Sequence, residues 1–200
     1  MNHIQDRIPL ANGTAIPCVG FGTWKPPASQ AAASVAAALA AGYRHIDTAT
    51  AYHNEQAVGE AVAASGIPRG ALFLTTKLWN PDQGYRSTLA ACDRSLCALG
   101  TDYVDLYLIH WPHDPKYFDN WQEVNLETWR AFEALYQAGK VRAIGVSNFQ
   151  PHHLADLLKN SDVTPAVDQI ESSPQFTNQP LVDELSAKGI ATEAYSPLGG

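Results

Sequence analysis

Three residue types suited to proton chemistry stand at or near the ends of successive apolar runs: Asp47, Lys77 and His110. Tyr52 follows five residues after the first of them, in the segment entering a helical pattern. A lysine at the end of an apolar strand is expensive to bury unless it is paired. Asp47, on the neighbouring run, is its natural partner. A cation beside Tyr52 favours ionisation of the phenol. Such a phenol can give a proton to a carbonyl oxygen as hydride arrives at carbon, with His110 orienting that oxygen through a ring N–H. Plainer readings exist for each residue. Asp47 and Lys77 could form a structural ion pair, and Tyr52 could pack at a helix start. His110 and His113 give an HxxH spacing that could hold a metal, although no third ligand is evident and HExxH is missing. The four residues gain weight together, because they fall in strand order.

The elements that must position them alternate regularly. Seven apolar runs, Cys18–Thr23, Arg44–Thr48, Leu72–Leu78, Val104–His110, Arg142–Ser147, Ala166–Glu171 and Ile190–Ser196, read as buried parallel strands. Helical spacing lies between them, as in Leu89, Cys92, Leu96 and Leu99 or Trp129, Phe132 and Leu135. Gly42, Gly66, Gly100, Gly139 and Gly189 close helical stretches as left-handed C′ residues. Ser29, Asn54 and Asn178 are expected N-caps, and Pro151 suits a first helical turn. Ahead of this repeat, Asn12-Gly13 between Ile8-Pro9-Leu10 and Ile16-Pro17 predicts a hairpin with a type I′ turn. A βα repeat demands a parallel sheet, either open and doubly wound or closed into a barrel. After Gly20 and Gly22 the third glycine of the dinucleotide-binding fingerprint is missing, and the barrel is favoured. The expected fold is one α/β domain over residues 1–200, a (β/α)8 TIM barrel with an N-terminal hairpin. Only seven barrel strands are present, and strand eight and the final helices are expected to be missing.

Composition sets the outer bounds. The chain is 46% hydrophobic and 16% charged, and its net charge of −7 argues against nucleic acid, whose phosphates need a basic face. No stretch approaches the apolar length of a membrane span or of a signal peptide. Cys18, Cys92 and Cys97 form no CxxC and show no metal-ligand spacing, so reduced thiols and a cytoplasmic location are expected. The expected protein is a monomer acting on a small molecule.

Residues 47–59, DTATAYHNEQAVG, with 102–112, DYVDLYLIHWP, and 139–149, GKVRAIGVSNF, resemble the aldo-keto reductases, in particular bacterial diketogluconate and aldehyde reductases. The resemblance runs from the hairpin to the last residue. It implies reversible reduction of aldehydes or ketones to alcohols by NADPH, or NADH, without metal or flavin. By position it makes Tyr52 the general acid, tuned by Lys77 and Asp47, with His110 aligning the carbonyl. It further implies that Ser147, Asn148 and Gln169 hold the carboxamide and that Tyr195 stacks on the nicotinamide. Thr23 and Asp47 would join this cofactor site, and Ser196-Pro197-Leu198 would begin the loop around the pyrophosphate. The residues that would select the 2′-phosphate lie beyond this sequence in the family. The segment 168–174, DQIESSP, departs from the commoner NQIE-x-HP by Asp168 and Ser173.

Trp24, Trp79, Trp111 and Trp121 are expected to wall the substrate site, because uncharged carbonyl compounds favour an apolar pocket. The long segment 111–125, with Tyr117, Phe118 and Trp121, reads as a specificity loop. Two alternatives to an active reductase stand beside it. One is a regulatory nucleotide-binding barrel with little turnover, and the other is an incomplete chain without activity.

Overall fold

The computed structural model describes residues 3–24, 28–116 and 118–199. Tyr117 lies outside them. Strands β1 (Arg7–Pro9) and β2 (Ala15–Pro17) form an antiparallel hairpin. Its turn is not type I′. Gly13 takes a positive φ of 84° while Asn12 does not, and Gly13 N–H donates to Leu10 carbonyl oxygen at 3.0 Å. That is a type I turn closed by a left-handed glycine. The Asn12 side chain is committed instead to Thr14 N–H, at 3.1 Å, and to Arg142 carbonyl oxygen, at 3.0 Å.

Seven parallel strands follow, each paired with the next: β3 (Phe21–Gly22), β4 (His45–Asp47), β5 (Phe73–Leu78), β6 (Leu106–Ile109), β7 (Ile144–Ser147), β8 (Val167–Glu171) and β9 (Ala191–Tyr195). They curl into a nearly closed barrel. Among the described residues, β3 and β9 are not paired with each other. The crossovers carry α1 (Ala28–Ala40), α2 (Glu55–Ala64), α3 (Tyr85–Leu99), α4 (Trp121–Gln137), α5 (Pro151–Asn160) and α6 (Gln179–Ala187). All five predicted C′ glycines have positive φ, from 62° at Gly100 to 101° at Gly42. The N-caps fare differently. Ser29 lies inside α1, and neither Asn54 nor Asn178 caps with its side chain. Asn54 has other work: it accepts from Thr48 Oγ1 at 2.7 Å and donates to Thr23 carbonyl oxygen at 2.9 Å. None of the helices is long and apolar enough to cross a membrane, among the described residues.

The pleat sorts side chains by parity. Leu74, Leu78, Tyr107, Ile109, Ile144, Val146 and Ile170 face the helices and join the main core. Phe73, Leu106, Leu108, Ala143, Ala166 and Val167 pack with Leu10 and Ile16 of the hairpin segment in a second cluster. The hairpin therefore stoppers the amino-terminal end of the barrel with apolar side chains, and the polar ends of the strands gather at the other end. Gly145 of β7 keeps the wall tight, since a Cβ there would stand 2.5 Å from Val167 carbonyl oxygen.

Asp168 has the outward parity on β8 and is fully buried, and among the described residues neither carboxyl oxygen has a well-formed hydrogen bond, the Phe149 backbone being the one group near enough to favour its charged form. Burial pushes its pKa well above the ordinary 3.8, and the Phe149 backbone only partly opposes that rise. Because the folded pKa is raised, this residue's contribution to stability is complete in acid and is lost as pH rises past the ordinary carboxyl range. Asp168→Asn is expected to stabilise the protein at neutral pH, because the amide is uncharged without taking up a proton, whereas each pH unit by which folding raises a carboxyl pKa costs about 1.4 kcal/mol above that range. The gain should shrink below about pH 4. Urea denaturation of both proteins at the two pH values is the check, and a pH-independent difference would contradict it.

Candidate active site

β4 delivers Asp47 and β5 delivers Lys77 to the inside of the barrel. Lys77 is 1% exposed, and its Nζ donates to Asp47 Oδ1 in a short ion pair and to Thr48 carbonyl oxygen at 3.0 Å. Gln169 of β8 completes the carboxylate, donating from Nε2 to Asp47 Oδ2 at 2.8 Å. Tyr52 enters from a 3₁₀ turn, Thr50–Tyr52, closed by His53 in the left-handed region at φ 54°. The Asn54 bridge between Thr48 and Thr23 holds that turn against the strand ends. Lys77 Nζ lies 5.2 Å from the centre of the Tyr52 ring, and the His110 ring meets Tyr52 edge-on at 5.6 Å. The four residues singled out by type and order thus converge.

Their electrostatics follow from burial and partners. Burial would strip Lys77 of its proton, but Asp47 and Tyr52 outweigh it and hold the ammonium charged. The Tyr52 phenol moves the other way from the expectation. Burial raises its pKa above the ordinary 10.0, Lys77 works against that shift, and Asp47 adds to it. Tyr52 is therefore protonated at neutral pH, as a proton donor must be. Burial and the Lys77 charge lower His110 to about 4, leaving a neutral imidazole whose Nδ1 is buried without a partner.

A cavity of about 880 Å³ extends from this group along the seam between β3 and β9 to Ile8 and Ile16 of the hairpin. Trp24, Trp79 and Trp111 line it, each partly exposed, beside Tyr52 and His110. Trp121 does not. It begins α4, and its ring packs edge-on against His152 and His153 of α5, at 5.9 and 5.5 Å. The predicted loop is correspondingly shorter, because helix takes over at Trp121. His113 also turns away, its Nδ1 meeting Gln83 Oε1, so the HxxH pair is divided between separate partners.

On the far wall, Ser147, Asn148, Gln169, Tyr195 and Ser196 line the cavity. Asn148 sits at φ 64° and accepts from Tyr195 Oη at 2.9 Å, while its Nδ2 donates to His110 carbonyl oxygen at 3.0 Å. Ser147 Oγ donates to Gln169 carbonyl oxygen at 2.8 Å. A side-chain amide pair, a hydroxyl and a tyrosine face in one wall match the needs of a planar carboxamide-bearing ring. Thr23 and Leu198 do not line the cavity. Thr23 is buried against the Asn54 bridge, and Leu198 is 97% exposed near the chain end.

Sequence reading passed over two further residues of this wall. His45 lies two positions before Asp47, and Glu193 two before Tyr195, so each shares its neighbour's inward parity. The period-2 rule applied backward from Asp47 and Tyr195 would have found both.

The pattern of the aldo/keto reductase family matches residues 18–200. An aldo-keto reductase of Mycolicibacterium smegmatis is 53% identical over 198 residues, covering 98% of this chain and 69% of that protein. The glyoxal reductase of Bacillus subtilis is 50% identical, over 98% of this chain and 68% of that protein. Among solved structures, an aldo/keto reductase from Brucella melitensis superposes with a TM-score of 0.91 at 52% identity, covering 96% of this chain and 73% of the other. A Bombyx mori aldo-keto reductase in complex with NADP gives 0.86 at 39% identity, covering 96% and 66%.

Proposed function

This chain belongs to the aldo/keto reductase family, and from that premise we propose that it reduces small aldehydes and ketones to alcohols with NADPH, using Tyr52 as the general acid. The observation that carries the reading is the convergence of Tyr52, Lys77, Asp47 and His110 at the floor of one cavity. When bound, the reduced nicotinamide supplies the hydride that converts the carbonyl carbon to an alcohol carbon. Ser147, Asn148 and Gln169 would hold its carboxamide and Tyr195 its ring. Tyr52 breaks its O–H bond and forms a new one to the carbonyl oxygen, so the product leaves neutral. Lys77 eases that departure by stabilising the phenolate left behind, and Asp47 keeps the ammonium in place. His110, neutral at working pH, can donate one ring N–H to the carbonyl oxygen without adding a charge.

Trp24, Trp79 and Trp111 give the mouth an apolar, aromatic lining without a fixed charge, which suits uncharged carbonyl compounds. One relative carries a name of that kind, the glyoxal reductase of Bacillus subtilis, 50% identical over 98% of this chain. The test is oxidation of NADPH in the presence of short aldehydes, dicarbonyls and keto esters. Turnover with any of them supports the reading, and tight NADPH binding with no turnover would favour a regulatory barrel. Exhaustive chelation is expected to leave the rate unchanged, because the proposed acid is a phenol. Loss of activity restored by zinc would overturn that expectation.

A further inference from the structure

One carboxylate in the site has no part in the chemistry above. Glu193 stands opposite Gln169 in the β8–β9 ladder and lines the same cavity. Its Oε1 is 3.8 Å from His45 Nε2, and its Oε2 is buried without a hydrogen-bond partner. Potential ligand atoms of His45, Asp47 and Glu193 all lie within 4.8 Å of one another. The place a metal would take beside Asp47 is already filled by the Lys77 ammonium. His45 cannot serve as a second cation: burial lowers it to about 4, and its Nε2 faces Thr75 Oγ1 at 2.9 Å.

The groups facing Glu193 are therefore His45 and Asp47 from β4, Lys77 from β5 and the uncharged Gln169 from β8. The described residues of β3, Phe21 and Gly22, bring no titratable group, and α6, which packs on β9, adds none to this set. Two carboxylates thus share one ammonium. We propose that Glu193 is a positioning residue for the proton transfer, a second carboxylate whose charge decides how strongly Lys77 acts on the Tyr52 phenol.

The proposal rests on Tyr52 being the general acid. With Glu193 neutral, Asp47 and Lys77 balance, and the ammonium nearest Tyr52 favours loss of the phenolic proton. With Glu193 ionised, the group beneath Tyr52 carries a net negative charge, and the phenol holds its proton harder. Burial and the Asp47 charge bring Glu193 up to about 7, so the change falls around neutrality.

The experiment compares carbonyl reduction against pH in the full-length native protein, Glu193→Gln and Tyr52→Phe. In the native protein, turnover should fall several-fold as pH rises through neutrality. In Glu193→Gln the ratio of turnover below neutrality to turnover above it should collapse toward one. A limb near neutrality that persists unchanged in Glu193→Gln overturns the proposal. Tyr52→Phe separates the two readings: an active Tyr52→Phe defeats Tyr52 as the acid, whereas an inactive one beside an unmoved Glu193→Gln profile defeats Glu193 alone. A second readout needs no turnover. In cofactor-free protein carrying isotope-labelled tyrosine, the Tyr52 resonance, identified by its loss in Tyr52→Phe, should titrate at lower pH in Glu193→Gln, and an unmoved titration counts against the proposal. Should Glu193→Gln fail to fold, the carboxyl resonance of Glu193 in the native protein decides. Titration near neutrality that drops in Asp47→Asn supports the proposal, and titration in the ordinary carboxylate range overturns it.

Discussion

Tyr52→Phe is expected to abolish carbonyl reduction while leaving NADPH affinity close to native. The phenol's proton is needed only as charge develops on the carbonyl oxygen, so its removal acts on the transition state and should appear in kcat. The expected loss is roughly 10²–10⁴-fold, the usual contribution of a positioned acid. Binding should be spared, because the residues assigned to the nicotinamide, Ser147, Asn148, Gln169 and Tyr195, are held by one another, by main-chain groups and by Asp47 rather than by Tyr52. Stability should change little as well, since among the described residues the Tyr52 hydroxyl's hydrogen bond is that to Lys77. Steady-state kinetics with a reactive aldehyde, alongside a fluorescence titration of NADPH, is the measurement. A variant that keeps more than half its kcat would remove Tyr52 from the role of acid.

Lys77→Met is expected to be as damaging to kcat and, unlike Tyr52→Phe, costly to the fold. Lys77 is 1% exposed, and it answers the charge of Asp47, which is itself 9% exposed and lies near Glu193. Methionine fills much of the same volume but leaves two carboxyl groups facing each other with no cation between them. Breaking a buried pair from one side typically costs about 3–5 kcal/mol, although proton uptake by either carboxyl would soften this. The chemical effect has its own signature. Without the ammonium, the downward pull on the Tyr52 pKa disappears while burial and Asp47 remain, so the phenol becomes a weaker acid. Thermal unfolding and the pH–rate profile should therefore both move. Asp47→Asn should be milder, because the amide oxygen can still accept from Lys77, and Gln169 can turn its own side-chain oxygen toward the new NH2. If Lys77→Met left the pH dependence where it was, the coupling between Lys77 and Tyr52 would be wrong.

The sequence by itself determined the order of the elements and the principal chemistry. Strand density, helical spacing and the five C′ glycines are local properties, and local patterns reach the fold intact because each is set within a turn or two of chain. Asp47, Lys77 and His110 were legible for the same reason: each lies at or near the end of an apolar run, and parallel strands in a barrel present those ends together. Tertiary structure decided what depends on distant neighbours. Asn12-Gly13 could form either turn, and Arg142, far along the chain, claims the asparagine side chain. Trp121 lies in the segment that follows Trp111, yet α4 starts at it and carries its ring to α5. Lys77 was expected to ease Tyr52 toward ionisation, but burial, which composition does not report, raises the phenol's pKa overall. Asp168 reads as one polar residue in a strand, and only its outward parity against the helices buries its carboxyl and raises its pKa. Glu193 reads as a strand residue beside Tyr195 until the barrel wraps β9 round to face β4. A carboxylate's pKa is set by the charges across the barrel, and sequence spacing does not measure that distance.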